Sequence, residues 1–442
     1  MDELMIDGTP WWRNVNMAKI EKAQQLQKPQ ASRPSSRPAS RPASPAPRPS
    51  TSAAAPSTSK SAAPSTSKSA APSTSTSAAS IAPLSYVPQR RTELPVEATM
   101  ETMNGGEHLD IDMRNPTPPD WYKAIGPDKV KRAPRISFGI EEHLNKICTG
   151  IRKCNELAAK KIAPSADDLN KINDGIHRAF FLDLGAMAIR QKGLLFNDRG
   201  LPQIFNSKTV DYPWYIKEDA AELYIKWYQK DTSPDLFRGI ILGRTKNVKI
   251  GREGAADKLD PKYKRKKGDF HGNGHLRNGQ WWPTQLCAVR DGAHSATVAG
   301  ICGRTGEGAF SCVMSGGSYP NIDRGDEVWY YGTESDDPTR PTDSTQYMIE
   351  SCKLKTPVRV LRASKMTTEG PNDYKPQEGM RYDGLYKVVD YEVKNPAKQV
   401  HLFHLVREPD QGPIRNSGPE VRPTPEELSA LAKAKIEKKY LA

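Results

Sequence analysis

RYDGLYKVVDYE, Arg381 to Glu392, is the stretch on which the fold turns. It reads as a buried strand entered through an Asp383-Gly384 turn. Its upstream counterpart is VAGICGRTGEGAFSCVMSGG, Val298 to Gly317. That run is a Gly-rich series of short strands and tight turns, the kind of backbone that lets a ligand approach closely. The same texture continues from Gln280 to Arg415 in QLCAVR, FSCVMS, EVWYYG, TPVRVLR, YKVVDYE and VHLFHLV, broken by Gly, Pro and Asp. Many short strands with frequent turns predict a compact β-barrel or sandwich.

Helical signals flank this region. Phe138, Ile140, Leu144, Ile147, Ile151 and Leu157 follow three- and four-residue spacings and predict one helix face. A second helix is expected from Ser165, with Asp167 and Asp168 in its first turn, past Phe180 towards Ile189. A third is expected over Lys217 to Gln229. At the C-terminal end Thr424-Pro425-Glu426-Glu427 has the form of a capping box with Pro at the first helical position, leading a helix to Tyr440.

Composition argues against order at the other end. The chain has 442 residues, of which 36% are hydrophobic and 7% aromatic, and its 37 prolines concentrate early. Arg33, Arg37 and Arg41 recur in SRPxS units, and AAPSTSKS at Ala54 repeats at Ala62 and, altered, at Ala70. Such a segment cannot bury enough surface to offset chain entropy and is expected to be a disordered tether or passive linker. The Trp11-Trp12 pair ahead of it, in residues 1–30, is either a docking motif or an isolated pair.

The formal charge of +13 is equally uneven. Residues 1–92 carry 12 Lys/Arg against 4 Asp/Glu, and residues 244–267 carry 10 against 3, which leaves the rest near −2. Any electrostatic grip on phosphate must therefore be local. Six cysteines, at 148, 154, 287, 302, 312 and 352, include no CxxC and no Cys/His ladder, which excludes a zinc-bound RING or PHD finger. No metal or other cofactor is expected, and His271 and His275 are assigned to a loop. Met1-Asp2-Glu3 does not open a signal peptide, and no apolar run reaches membrane length. Free thiols in a nuclear, reducing setting follow.

Eight blocks in fixed order carry a resemblance to a known family: GQWWP (279–283), RDGAH (290–294), VAGICGRTGEGAFS (298–311), SGG (315–317), GDEVWYYG (325–332), PVRVLR (357–362), EGMRYDGLYKVV (378–389) and GPIR (412–415). They resemble the SRA domain (SET- and RING-associated, also called YDG), in its fungal branch. The resemblance implies an α+β chain in which a twisted β-barrel SRA-like domain is preceded by a small helical module and a long disordered N-terminal tail. The expected boundaries are 1–136 for the tail, 137–243 for the helical module, 244–278 for a basic linker, and 279–442 for the SRA domain with its C-terminal helix.

The resemblance also implies a function. The family reads 5-methylcytosine in double-stranded DNA by swinging the base into a pocket, so a chromatin reader without catalytic residues is expected. Ser315, Gly316 and Gly317 match its backbone-lined floor. Tyr330 matches one of two base-clamping tyrosines, followed by Tyr331, and Tyr319 the other after a one-residue shift. The family's amine-accepting Asp column holds Asn321, with Asp323 two residues on. Asn can accept and can also donate; a plain turn before Gly325 is the alternative for both residues. Val298 matches the thumb-loop side chain that enters the vacated space, or is an ordinary buried strand residue. Arg340 is the basic residue of the opposite finger loop, Asp336 to Ser344. Lys262, Lys264, Arg265, Lys266 and Lys267 contact phosphate or form a nuclear import signal. Chromatin proteins are expected partners of the helical module and tail, and no membrane is. A non-flipping interaction scaffold and an enzyme component are the rival readings.

Overall fold

The computed structural model describes residues 5–6, 9–10, 111–243, 256–317 and 319–441. The chain divides into two compact units, Met1–Tyr86 and Val87–Ala442. In the first, Met5–Ile6 (β1) and Thr9–Pro10 (β2) pair antiparallel. Trp11-Trp12, the Ser/Pro/Ala repeats, residues 244–255 of the basic linker and Ser318 lie outside the described residues.

The second unit begins with helices at Asp120–Lys123 (α1), Pro127–Arg132 (α2), Phe138–Ala159 (α3), Ala166–Ala179 (α4), Ala186–Lys192 (α5), Pro202–Phe205 (α6) and Trp214–Tyr228 (α7). Leu144, Ile147 and Ile151 of α3 are buried as their spacing predicts, against Ile172 and Ile176 of α4 and Leu223, Tyr224 and Trp227 of α7. The helical core also takes in Ile111, Met113 and Tyr122, from residues expected to belong to the tail. Two local expectations fail. Phe138 is 84% exposed, because it opens α3 ahead of the covered face. The predicted long second helix stops at Ala179 and resumes at Ala186 after Gly185. Ser165 caps its start, with Oγ accepting the Asp168 N–H at 3.2 Å.

Ile240–Ile241 (β3) and Lys258–Leu259 (β4) form a short antiparallel pair, and the rest of the β region is a mixed sheet of eight strands. Trp281–Trp282 (β5), Ile301–Arg304 (β6), Gly308–Met314 (β7), Ile322–Asp323 (β8), Glu327–Tyr331 (β9), Pro357–Ala363 (β10), Met380–Asn395 (β11) and Val400–Arg407 (β12) run in the order β6-β7-β10-β11-β12-β9-β8, with β5 added on β11. Only β7 and β10 pair parallel. The two ends of this path, β6 and β8, are not bonded to each other, so among the described residues the sheet is open and not a closed barrel. The chain is thus α+β as expected, with that correction. QLCAVR, expected as a strand, is instead the short helix Gln285–Arg290 (α8), capped by Thr284, whose Oγ accepts the Cys287 N–H at 3.4 Å. Asp343–Leu354 (α9) also connects strands, and Pro425–Leu441 (α10) closes the chain. The capping box of α10 is formed in both directions: Thr424 Oγ accepts the Glu427 N–H at 3.2 Å, and Glu427 Oε2 accepts the Thr424 N–H at 2.7 Å.

Asp383-Gly384 is not a turn. Both lie inside β11, where the register against β10 shifts and Gly384 takes φ +102°, a conformation that favours glycine. Asp383 is fully buried and accepts from Arg381 Nε at 2.5 Å and Arg362 at 3.1 Å. The RYDG run is therefore an electrostatic node of the core. Arg359 is buried as well, its guanidinium satisfied by the carbonyls of Gly268, Phe270, Gly272 and Ala293.

Candidate nucleic-acid interface

The Gly-rich loop after β7 and its continuation to Asn321, the end of β9 with the loop after it, and the loop leading into β6 enclose a cavity of about 380 Å³. Val298, Ser315, Gly316, Gly317, Tyr319, Asn321, Tyr330 and Tyr331 line it, all of them sequence-predicted. Gly300, Val313, Gly332, Thr333 and Glu334 complete it. Its volume falls in the ordinary range for ligand pockets, about 300–1,000 Å³.

Alternation along β9 separates the two adjacent tyrosines. Tyr330 is buried, and its hydroxyl reaches the Val313 carbonyl at 3.5 Å. A Cβ at Gly300 would sit 2.9 Å from that hydroxyl, so the glycine is what lets the ring lie there. Burial pushes the Tyr330 phenol well above its ordinary range. Tyr319 stacks on Tyr331 rather than on Tyr330, with ring centroids 5.1 Å apart and planes inclined by 27°. Its hydroxyl hydrogen-bonds the Glu334 carboxylate, which raises the phenol's pKa and, with Lys398 at 3.0 Å, lowers that of Glu334. The sequence reading missed Glu334, since a lone acid in a loop has no local signature.

The two candidate edge-reading residues differ in kind. Asn321 lines the cavity, and its Oδ1 accepts the Tyr331 N–H at 3.0 Å. Asp323 does not line it. Its carboxylate takes both Nε and Nη2 of Arg362 at 2.8 Å and Asn372 at 2.9 Å. Burial would raise the Asp323 pKa, but Arg362 outweighs burial and lowers it. The structure thus places Asp323 in the core network rather than at the cavity.

At the rim, Val298 is 87% exposed, on a loop and not in a buried strand. Arg340 is also exposed, 3.9 Å from Asp343. Lys262, Lys264, Arg265 and Lys267 lie on the surface, whereas Lys266 turns inward beside Asp291 and burial lowers its pKa. His271 bonds the carbonyls of Pro357 and Glu307. His275 bonds that of Asp291 at 2.6 Å, and burial drives its pKa down to about 3, so it is neutral. No cluster that could hold a metal ion occurs among the described residues. Cys312 is a buried apolar filler. Cys302 is more: its Sγ meets Ser311 Oγ at 3.0 Å and His294 Nδ1 at 3.4 Å. Burial would raise that thiol, but His294 brings it to about 7. No helix among the described residues is long and apolar enough to cross a membrane.

Residues 271–411 match the SAD/SRA domain model. The UHRF1-like protein of Cryptococcus neoformans var. grubii is 36% identical over 158 residues, 31% of this chain and 45% of that protein. The E3 ubiquitin-protein ligase ORTHRUS 2 of Arabidopsis thaliana is 36% identical over 129 residues, 26% of this chain and 20% of that protein. The chain therefore spans less than half the length of these relatives. Among solved structures, the modification-dependent TagI restriction endonuclease is 32% identical over 33% of this chain and 53% of its own, with a TM-score of 0.28. Residues 271–411 of this chain are an SAD/SRA domain, one that has fungal as well as plant relatives.

Proposed function

We propose that this chain is a reader of 5-methylcytosine in double-stranded DNA that takes the base out of the duplex into the cavity between the loop after β7 and the end of β9. The observation that carries the proposal is the cavity itself, where the SAD/SRA match coincides with three tyrosine rings, a Gly-Gly floor and one amide. Unstacking a base costs a few kcal/mol, and stacking on an aromatic ring returns about 1–3 kcal/mol per base. Tyr319 is the ring available to close on the base, leaving its stack on Tyr331, while Tyr330 is already fixed against the cavity wall. Exposed Val298 stands at the rim, where a side chain can enter the vacated space.

The methyl group needs only a small apolar recess. Burying it gains about 0.8 kcal/mol, so the preference over plain cytosine should be modest. The surface lysines of 262–267 serve phosphate contact and nuclear import. In this reading the chain acts in the nucleus in chromatin regulation, has no catalytic residues of its own, and uses the helical region and tail to meet chromatin proteins.

Fluorescence anisotropy with a methyl-CpG duplex and its unmodified twin tests the proposal. Tighter binding of the methylated duplex, weakened by Tyr330→Ala, is expected. Equal affinity for the two duplexes removes methyl reading. Unchanged affinity in Tyr330→Ala favours a scaffold that no longer flips bases.

A further inference from the structure

The amide of Asn321 is oriented by its surroundings. Its Oδ1 accepts the Tyr331 N–H at 3.0 Å, and a backbone N–H can only donate. The backbone of Asn321 is pinned on both sides: its N–H donates to the Thr367 carbonyl at 3.0 Å, and its carbonyl accepts from Glu369 N at 2.9 Å. The residue is 5% exposed and lines the cavity. Among the described residues nothing in the protein accepts from its Nδ2, which is not sealed into the core either. A carboxylate in this place would keep one whole oxygen free for a base donor. The amide keeps only a lone pair on an oxygen already engaged, together with two N–H donors.

That difference bears on which bases fit. 5-Methylcytosine and thymine carry the same 5-methyl group and differ at position 4, where cytosine has an amine donor and thymine a keto acceptor. A carboxylate accepts from the amine and repels the keto oxygen. The Asn321 amide donates to the thymine O4, or to the ring N3 acceptor of cytosine. We infer that Asn321 makes this cavity a site for 5-methylpyrimidines as a class, one that reads the methyl group and leaves position 4 unread. The inference rests on the base-binding reading proposed above. Its physical consequence is that thymine opposite guanine, the product of deaminating 5-methylcytosine, is a ligand, and a mismatched base is cheaper to unpair.

The test uses the full chain and four duplexes with 5-methylcytosine, cytosine, thymine or uracil at one position. Each base is placed opposite an abasic site, so that unpairing costs are alike. Wild-type protein is expected to bind the two methylated bases within about threefold of each other, and each tighter than its unmethylated partner. Asn321→Asp keeps an oxygen for the Tyr331 N–H and frees the second, so it should favour 5-methylcytosine over thymine by ~10-fold or more. Circular dichroism melting establishes that this variant is folded, and Asn321→Gln gives an independent amide at the same place, expected to show no such preference. Wild-type discrimination of ~10-fold or more against thymine, unchanged in Asn321→Asp, overturns the inference while leaving methyl reading intact. Equal wild-type binding of methylated and unmethylated bases is a different result: it removes the base-binding reading and this inference with it.

Discussion

Asp219 of the helical region and Arg415 of the C-terminal segment form a buried two-pronged pair, with Nη1–Oδ1 at 2.5 Å and Nη2–Oδ2 at 2.9 Å. Arg422 reaches the same Oδ1 at 2.9 Å, and His177 Nε2 meets Oδ2 at 2.8 Å. Arg422 continues to Glu222 and Glu427, so α7, the segment after β12 and α10 share one charge network. The helices are therefore joined through a buried charge network to the segment that follows β12, not by a linker alone.

Removing Asp219 should unfold more than the helices. Breaking a buried pair costs about 3–5 kcal/mol, because the remaining charges are left without a partner. Asp219→Ala is expected to lower the unfolding free energy obtained from urea titration by that amount, with a single transition. A fragment beginning after α7 should show the same loss of stability. Burial would raise the Asp219 pKa, but Arg415 and Arg422 hold it well below the usual carboxylate range. A depressed folded pKa contributes stability that is present above the unfolded value and fades as pH falls, here below about pH 4. Independent transitions for the two regions in calorimetry would contradict the shared network.

Glu218, the neighbouring residue, has the opposite linkage. Burial raises its pKa from 4.5 to about 7, and its Oε2 has no hydrogen-bond partner. The folded form holds a proton that the unfolded chain has lost, so stability falls between about pH 4.5 and 7 and the full penalty applies above that. Glu218→Gln should flatten this slope and stabilise the protein at pH 8, by an amount on the order of 3 kcal/mol at most. Thermal denaturation at pH 5 and pH 8 measures it. An equal change at both pH values would refute the assignment.

Asp323 should behave as a core residue. Its side chain is fully buried against Arg362, which also donates to the Gly325 carbonyl at 2.6 Å. Asp323→Ala is expected to cost about 3–5 kcal/mol, with DNA binding reduced only as the folded fraction falls. A variant with wild-type denaturation but no methyl preference would place Asp323 on the base instead.

Tyr319 and Val298 should separate binding from folding. Tyr319 is held by a ring stack and one carboxylate, and Val298 is exposed. Tyr319→Ala should weaken binding of methylated duplex by about 1–3 kcal/mol. Val298→Gly should weaken it too, and neither should shift stability by more than about 0.5 kcal/mol. Paired anisotropy and melting measurements decide this, and a matching loss in both would make the two residues structural.

The sequence by itself determined what depends on neighbours along the chain. The strand series from 280 to 415 apart from the helical QLCAVR, the buried stripe of α3 and the Thr424–Glu427 capping box are set by local propensity, spacing and caps. The ordered blocks also located the cavity, since the loop after β7 and strand β9 each bring several lining residues as one piece. Tertiary structure decided which faces are covered and who pairs with whom. Period-two alternation separates Tyr330 from Tyr331, but only the packed sheet puts Tyr330 inside and sets Tyr331 against Tyr319. Arg359, Arg362, Arg381, Arg415 and Arg422 look like surface charge in the sequence, yet each is buried and paired with carboxylates or carbonyls. Their partners lie up to 203 residues away, and a buried charge is stable only where the fold brings such groups together. The same reason sends Asp323 to the core and leaves Asn321, two residues before it, at the cavity wall.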